Sequence, residues 1–170
     1  MTSAELLTDA FERVREEVHA AVDGLSVADL SHRIDPGANS IAWLVWHLTR
    51  VQDDHVAAVA GLEQVWLAGG WFDRFALPVD KHRIGYGDTA DQAGEVHASA
   101  ELLTGYYDAV HEQTLRYVRD LVDADLPRVV DTRWDPPVTL AVRLISVISD
   151  DLQHVGQAAY LRGVLGRIAK

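Results

Sequence analysis

The stretch SIAWLVWHLTRVQDDH, residues 40–55, is the most apolar helix-forming segment of the chain. Ser40 is a favourable N-cap residue, which predicts a helix from Ile41 to about Gly61. Three of its residues share one face of such a helix: Leu44, His47 and Val51. Because that face is apolar, His47 is expected to point into the protein. A histidine hydrogen-bonded inside the core is the alternative to a ligand or catalytic group, and the choice depends on a partner from another segment.

Three other segments show helical periodicity, over about residues 3–23, 100–123 and 140–167. Short helices are expected after Ser26 and near residues 90–97. Prolines interrupt the chain between the third and fourth long helices. The second and third are joined by a long link over residues 62–98, whose aromatic residues bury too much area for a flexible tether. The sequence therefore predicts an all-α four-helix bundle with a long crossover between helices two and three, in a single domain over residues 1–170.

The composition excludes several classes of function. The chain of 170 residues is 48% hydrophobic and 24% charged, and its formal net charge of -11 argues against nucleic acid or an anionic membrane as partner. It contains no cysteine, so disulfides, cysteine-ligated zinc and a protein thiol nucleophile are excluded. We see no hydrophobic signal core and no apolar run of membrane-spanning length, so a cytoplasmic protein is expected.

Most of the eight histidines have an ordinary interpretation. His19, His97 and His111 lie among charged residues at helical spacing and are expected to be solvated. His82 is expected to lie in a loop. Only His154, in another apolar helix, matches the situation of His47.

The stretch SDDLQHVGQ, residues 149–157, adds acids to His154. Asp150 lies four residues before His154, so the two side chains project together about 40° apart around the helix, whereas Asp151 is displaced to the other side by about 60°. With His47 from a facing helix, Asp150 and His154 give three ligands that converge in the bundle. Three protein ligands and an open position are typical of a catalytic Zn²⁺ or another divalent ion, although an Asp and a His four residues apart also occur by chance on surfaces.

GANSIAWLVWHLTRVQDD (residues 37–54) followed by SDDLQHVGQAAYLRG (residues 149–163) resembles the DinB-like (YfiT-like) superfamily of four-helix bundles. The segment SAELLTGYYDAVHEQTLRYV, residues 99–118, looks like the third helix of its actinobacterial branch, the mycothiol-dependent transferases. This resemblance implies a metal site on His47, Asp150 and His154, with zinc as the first choice of metal and nickel as the second. The branch typically has Glu where this chain has Asp150, one methylene shorter.

The resemblance also implies a function. A divalent-metal-dependent S-transferase would activate mycothiol or a similar low-molecular-weight thiol for attack on a small electrophile. Gln157 lies three residues after His154 and faces the site. Asp54 could accept a proton or support a ligand. The alternative interpretation, that Asp54 is a solvated acid, is at least as good. Family members commonly pair, so a homodimer is expected. Two alternatives stay open: a non-catalytic or metal-free bundle that binds a small ligand or a partner chain, and a metal-dependent hydrolase.

Overall fold

Four long helices form the bundle in a computed structural model that describes residues 1–168. They are α1 (Ser3–Val22), α3 (Ile41–Ala60), α7 (Ala100–Arg119) and α8 (Leu140–Ile168). The shorter elements are α2 (Val27–Leu30), α4 (Val65–Ala68), α5 (Trp71–Phe75), α6 (Ala90–Gly94), a 3₁₀ turn (Asp123–Asp125), and the strands β1 (Val129–Asp131) and β2 (Val138–Thr139). The predicted all-α DinB-like bundle is confirmed.

Side-chain caps explain where the helices begin. Ser40 accepts a hydrogen bond from the backbone N–H of Trp43, and Ser26 closes a capping box with Asp29. At the other end of α3, Gly61 adopts the left-handed conformation that commonly ends a helix. These boundaries agree with the predicted ones to within a residue or two.

The four long helices pack in a ring in the order α1, α7, α3, α8, so that α1 and α3 are diagonal. Two apolar clusters fill the interior, one toward each end of the bundle. On α3, α7 and α8, the positions between the clusters hold a layer of buried polar side chains: Thr49, Arg50, Gln52, Asp53, His111, Thr114 and Asp151. Such a layer is shielded from water and needs partners within the protein, yet neither carboxylate oxygen of Asp151 finds one within residues 1–168.

The crossover between α3 and α7 is packed onto the bundle. Trp66 is fully buried, and Trp71 and Phe72 pack against the same apolar cluster. Asp53 of α3 accepts hydrogen bonds from the backbone N–H groups of Val65 and Trp66, at 2.9 and 2.8 Å. The crossover therefore starts from a fixed point on α3, which agrees with its expected role as a structured link.

Some expectations need correction. α7 ends at Arg119 and not near residue 123, and the proline-containing segment after it forms a small antiparallel hairpin of β1 and β2. The short helices α4 and α5 were not predicted, because helices of four or five residues are too short to show periodicity. His111 is buried and not solvated: it stacks on Tyr107 and its Nε2 lies 3.3 Å from Glu12. No helix within residues 1–168 is long and apolar enough to cross a membrane.

Candidate metal centre

The structure brings His47, Asp150 and His154 together. One possible ligand atom from each lies within 4.8 Å of the other two. His47 comes from the middle of α3, and the other two come from adjacent turns of α8. Because α3 and α8 pack directly against each other, the helical spacing that aligns Asp150 with His154 also directs both toward His47.

His47 has a fixed orientation. Its Nδ1 lies 2.5 Å from the carbonyl oxygen of Ile84 in the crossover, and since a carbonyl only accepts, Nδ1 carries the proton. The Nε2 lone pair is then free for a ligand, as in metal-binding histidines whose second nitrogen is held by a carbonyl. The indole of Trp43 stacks on the imidazole at 4.6 Å between ring centres. Burial lowers the pKa of His47, so it is neutral at pH 7.

His154 is held in a complementary way. Its Nδ1 lies 3.2 Å from the side-chain oxygen of Gln157, and its Nε2 lies 3.6 Å from Oδ1 of Asp150. The Gln157 oxygen accepts the Nδ1 proton, which leaves Nε2 directed toward Asp150 and His47. Hydrogen bonding to Asp150 raises the pKa of His154. A metal ion and a proton would therefore compete for this nitrogen.

Gly85 allows the crossover to approach His47. Its φ is +90°, and a Cβ built at this position would lie 2.5 Å from Nδ1 of His47. Any larger residue would push against the imidazole and against the indole of Trp46, 3.1 Å away. Only glycine tolerates both the backbone conformation and the contact. Gly85 was not among the predicted site residues, although the segment GYG at residues 85–87 offered a signal.

A second contact fixes the crossover over the site. Trp43 donates its indole N–H to Asp88 at 2.9 Å, and Arg83 forms a two-point ion pair with the same carboxylate at 2.9 and 2.6 Å. Burial raises the pKa of Asp88, but the bonds from Arg83 and Trp43 outweigh it and leave the pKa below its ordinary value. Asp88 therefore connects the indole of Trp43, which stacks on His47, to the crossover. Helical spacing alone could not indicate this contact, since Asp88 lies in irregular chain.

The two neighbouring acids of α8 have different surroundings. Asp150 is partly exposed, like His154, whereas all three site residues were expected to face inward; only His47 is buried. Asp151 is fully buried, and neither of its carboxylate oxygens has a hydrogen-bond partner in the described part of the chain. The centre therefore opens toward solvent on the α8 side.

Asp54 lies apart from the three converging side chains. Its Oδ1 accepts a hydrogen bond from Gln64 at 2.7 Å, and its Oδ2 lies 3.4 Å from Nδ1 of His55. Asp54 is seven residues from His47, which places it about 10.5 Å along α3. Its predicted part in cofactor binding stays a prediction, as does that of Gln157, although Gln157 contacts a candidate ligand.

The donor set fits a divalent metal ion. Two imidazole nitrogens and a carboxylate oxygen suit Zn²⁺ and Ni²⁺. Oδ2 of Asp150 is buried and finds no hydrogen-bond partner among residues 1–168, so it is an acceptor that a cation would satisfy. In a tetrahedral site with ligands at about 2.0–2.2 Å, pairs of ligand atoms lie about 3.3–3.6 Å apart. The candidate ligand atoms lie within 4.8 Å of one another, so the side chains must move closer together to bind an ion.

The fold and this cluster define a DinB-like four-helix bundle with a candidate two-histidine, one-carboxylate centre. The family model for mycothiol-S-transferase matches residues 6–166. The chain belongs to the mycothiol-S-transferase family. A crystal structure of a conserved protein from Enterococcus faecalis is similar over 95% of this chain and 96% of that one, with 31% identity and a TM-score of 0.89. No curated protein matches the chain.

Proposed function

We propose that the protein is a divalent-metal-dependent S-transferase that joins mycothiol, or a similar low-molecular-weight thiol, to a small electrophile. The observation behind this proposal is the convergence of His47, Asp150 and His154 within 4.8 Å. Membership of the mycothiol-S-transferase family supports the choice of thiol. The chain has no cysteine, so the attacking sulfur must come from a second molecule.

The three side chains would hold the ion, with zinc as the first choice and nickel as the second. The ion would supply a positive charge that lowers the pKa of a thiol, so that the thiolate is available at neutral pH. In the transfer, the S–H proton goes to solvent, a carbon–sulfur bond forms, and the bond to the leaving group breaks with its electron pair. Residues of this chain fix the geometry: Ile84 and Gln157 orient the two imidazoles, and Trp43 shields one face of His47 from water.

Metal analysis combined with a turnover assay tests this function. We expect untagged protein to contain about one Zn²⁺ or Ni²⁺ per chain, and His47→Ala to lose it. Turnover of a test electrophile should require both the metal and mycothiol. The matched control is His82→Ala, which changes an exposed loop histidine. A wild-type protein that takes up no metal would contradict the proposal, and turnover of an ester or amide without thiol would favour the hydrolase.

The homodimer rests on the resemblance, and the location rests on the sequence pattern given above. We propose that the protein acts in the cytoplasm as a homodimer. Sedimentation velocity at micromolar concentration tests the dimer, and a single species with the mass of one chain would contradict it.

A further inference from the structure

A second cavity, of about 430 Å³, lies where α3 and α8 meet the β1–β2 hairpin. Six charged or titratable side chains line it: Asp54, His55, Arg128, Asp131, Arg133 and Arg143. Three arginines face two carboxylates there, which leaves an excess of positive charge. The excess stands out on a chain whose net charge is -11. We call this cavity the arginine pocket.

The two carboxylates of the pocket do not use all the N–H donors of its three guanidinium groups. Asp131 accepts from Arg133 at 2.8 Å and from Arg143 at 2.9 Å, so one carboxylate serves two guanidinium groups. Arg128 donates to two neutral acceptors, the carbonyl oxygen of Val59 and the hydroxyl of Tyr117. Each guanidinium has five N–H donors. Several of these donors therefore remain available to an anion.

Asp131 also keeps its charge. Its hydrogen bonds with Arg133 hold its pKa well below the ordinary value, so the carboxylate stays ionised at any pH near neutrality. It thereby fixes the positions of Arg133 and Arg143 without cancelling both charges. Guanidinium groups held in this way bind carboxylate and phosphate with two parallel hydrogen bonds.

The arginine pocket and the candidate metal centre lie along the same contact between α3 and α8. Arg143 precedes Asp150 by seven residues on α8, and Asp54 follows His47 by seven on α3. Seven residues are about two turns, so each pair lies on the same face about 10.5 Å apart along its helix. Buried valines, Val51 on α3 and Val147 on α8, occupy the positions between them. The candidate reaction centre and the cationic pocket therefore lie at two points along the same contact between α3 and α8, separated by buried valines.

We propose that the arginine pocket binds the anionic end, a carboxylate or a phosphate, of the electrophile that reacts at the metal centre. This inference rests on the proposed function for the identity of the reacting end. Binding of an anion by the pocket does not depend on it. The two sites are separated by about 10 Å along the helices, so the ligand must be long enough to span that separation.

Inorganic phosphate tests the pocket without metal or thiol chemistry. We expect a phosphate titration of the full chain to shift the backbone amide NMR signals of residues 129–133 to saturation. Arg133→Gln should weaken that binding at least tenfold and leave the fold intact, because the Arg133 side chain is 83% exposed. Arg143→Gln should have the same effect, and Arg13→Gln, which removes an exposed arginine of α1, should have none. Signals that do not saturate, or equal binding in all variants, would overturn the proposal.

Kinetics test whether the pocket binds the anionic group of the electrophile. Two electrophiles that differ only in a carboxylate or a carboxamide are compared in wild type and Arg133→Gln. A tenfold rise in KM for the carboxylate form alone is expected, and a similar rise in KM for both forms would contradict the assignment. Unchanged KM values for all reactants would overturn the inference. Phosphate binding at residues 129–133 in a protein that takes up no metal would contradict the proposed function but leave the pocket as an anion site.

Discussion

Gly85 lies so close to His47 that a Cβ on Gly85 would stand 2.5 Å from the imidazole Nδ1. The same nitrogen donates its proton to the carbonyl oxygen of the preceding residue, Ile84. The crossover thus determines which nitrogen of His47 is free to bind a ligand.

Gly85→Ala should therefore disturb the metal centre from outside it. We expect the zinc affinity to fall about 10- to 100-fold, the range found when a partner that orients a ligand is lost. The matched control is Gly87→Ala, because Gly87 has a similar φ of +76° but no atom within 4 Å of a built Cβ. The left-handed backbone should cost each variant about 1–2 kcal/mol of stability, and the contact with His47 should add to the loss in Gly85→Ala. Isothermal titration with zinc measures the difference, and equal affinities in the two variants would contradict this role of Gly85.

Zinc binding should weaken as the pH falls. Protonation of His154 removes a ligand, and hydrogen bonding to Asp150 raises its pKa above the ordinary 6.5, so the loss begins at a higher pH than for an isolated histidine. In Asp150→Asn the affinity should be lower at every pH, and the midpoint of its pH dependence should move down. Zinc titrations between pH 5.5 and 8 (a range of about one unit or more around the ordinary pKa) measure both effects. A midpoint unchanged by Asp150→Asn would argue against the pairing of the two side chains.

Asp53 should contribute more to the free energy of unfolding than its neighbour Asp54. Asp53 and Arg50 are fully buried with 3.6 Å between their charged groups, and Asp53 also accepts from the hydroxyl of Tyr106. Removing one member of a buried pair leaves the other charge without a partner, so Asp53→Ala should cost about 3–5 kcal/mol. Asp54→Ala, the matched control, removes a half-exposed acid and should cost about 1 kcal/mol or less. Urea unfolding measures both, and similar losses would show that the buried pair contributes little.

Asp151 should destabilise the protein at neutral pH. Burial raises its pKa well above the ordinary value, so the folded state keeps a proton that the unfolded state releases above about pH 4. The contribution of the Asp151 proton to the free energy of unfolding is complete below the pKa of Asp151 in the unfolded state. It is lost as the pH rises, by about 1.4 kcal/mol per pH unit, until the pKa of the folded state is reached. Asp151→Leu should therefore be more stable at pH 7, by about 1–3 kcal/mol, and the gain should shrink toward pH 4.

Urea unfolding of Asp151→Leu and wild type at pH 4, 5.5 and 7 (steps of roughly one titration range) measures this gain. Glu17→Gln, a change at an exposed acid of α1, is the control and should follow wild type at each pH. A gain that does not depend on pH would show that Asp151 is ionised in the folded protein.

Regular helices made the main features predictable from the sequence. His47, Asp150 and His154 lie on long helices, where spacing alone fixes which side chains share a face. Burial was less predictable, because it depends on how far each helix is rotated. For that reason Asp150 was expected to be the inward acid, although Asp151 is the buried one.

Irregular chain concealed the rest of the site. Gly85 and Asp88 act on His47 through the crossover, whose path no periodic pattern describes. His111 was interpreted as solvated because its sequence neighbours are charged, yet its own face of α7 is buried. Asp53 offered a signal that was not used, since an acid within so apolar a helix needs a partner.

The two attachments of the crossover limit the directions from which a ligand can reach the candidate metal centre. One end is held by Asp53 beneath Val65 and Trp66, and the other by Asp88 between Trp43 and Arg83. Moving this segment away from the bundle would break buried charged contacts at both points, so we expect the crossover to stay in place over the site. A ligand of the candidate metal centre would therefore reach it along the flank of α8, where Asp150 and His154 are partly exposed.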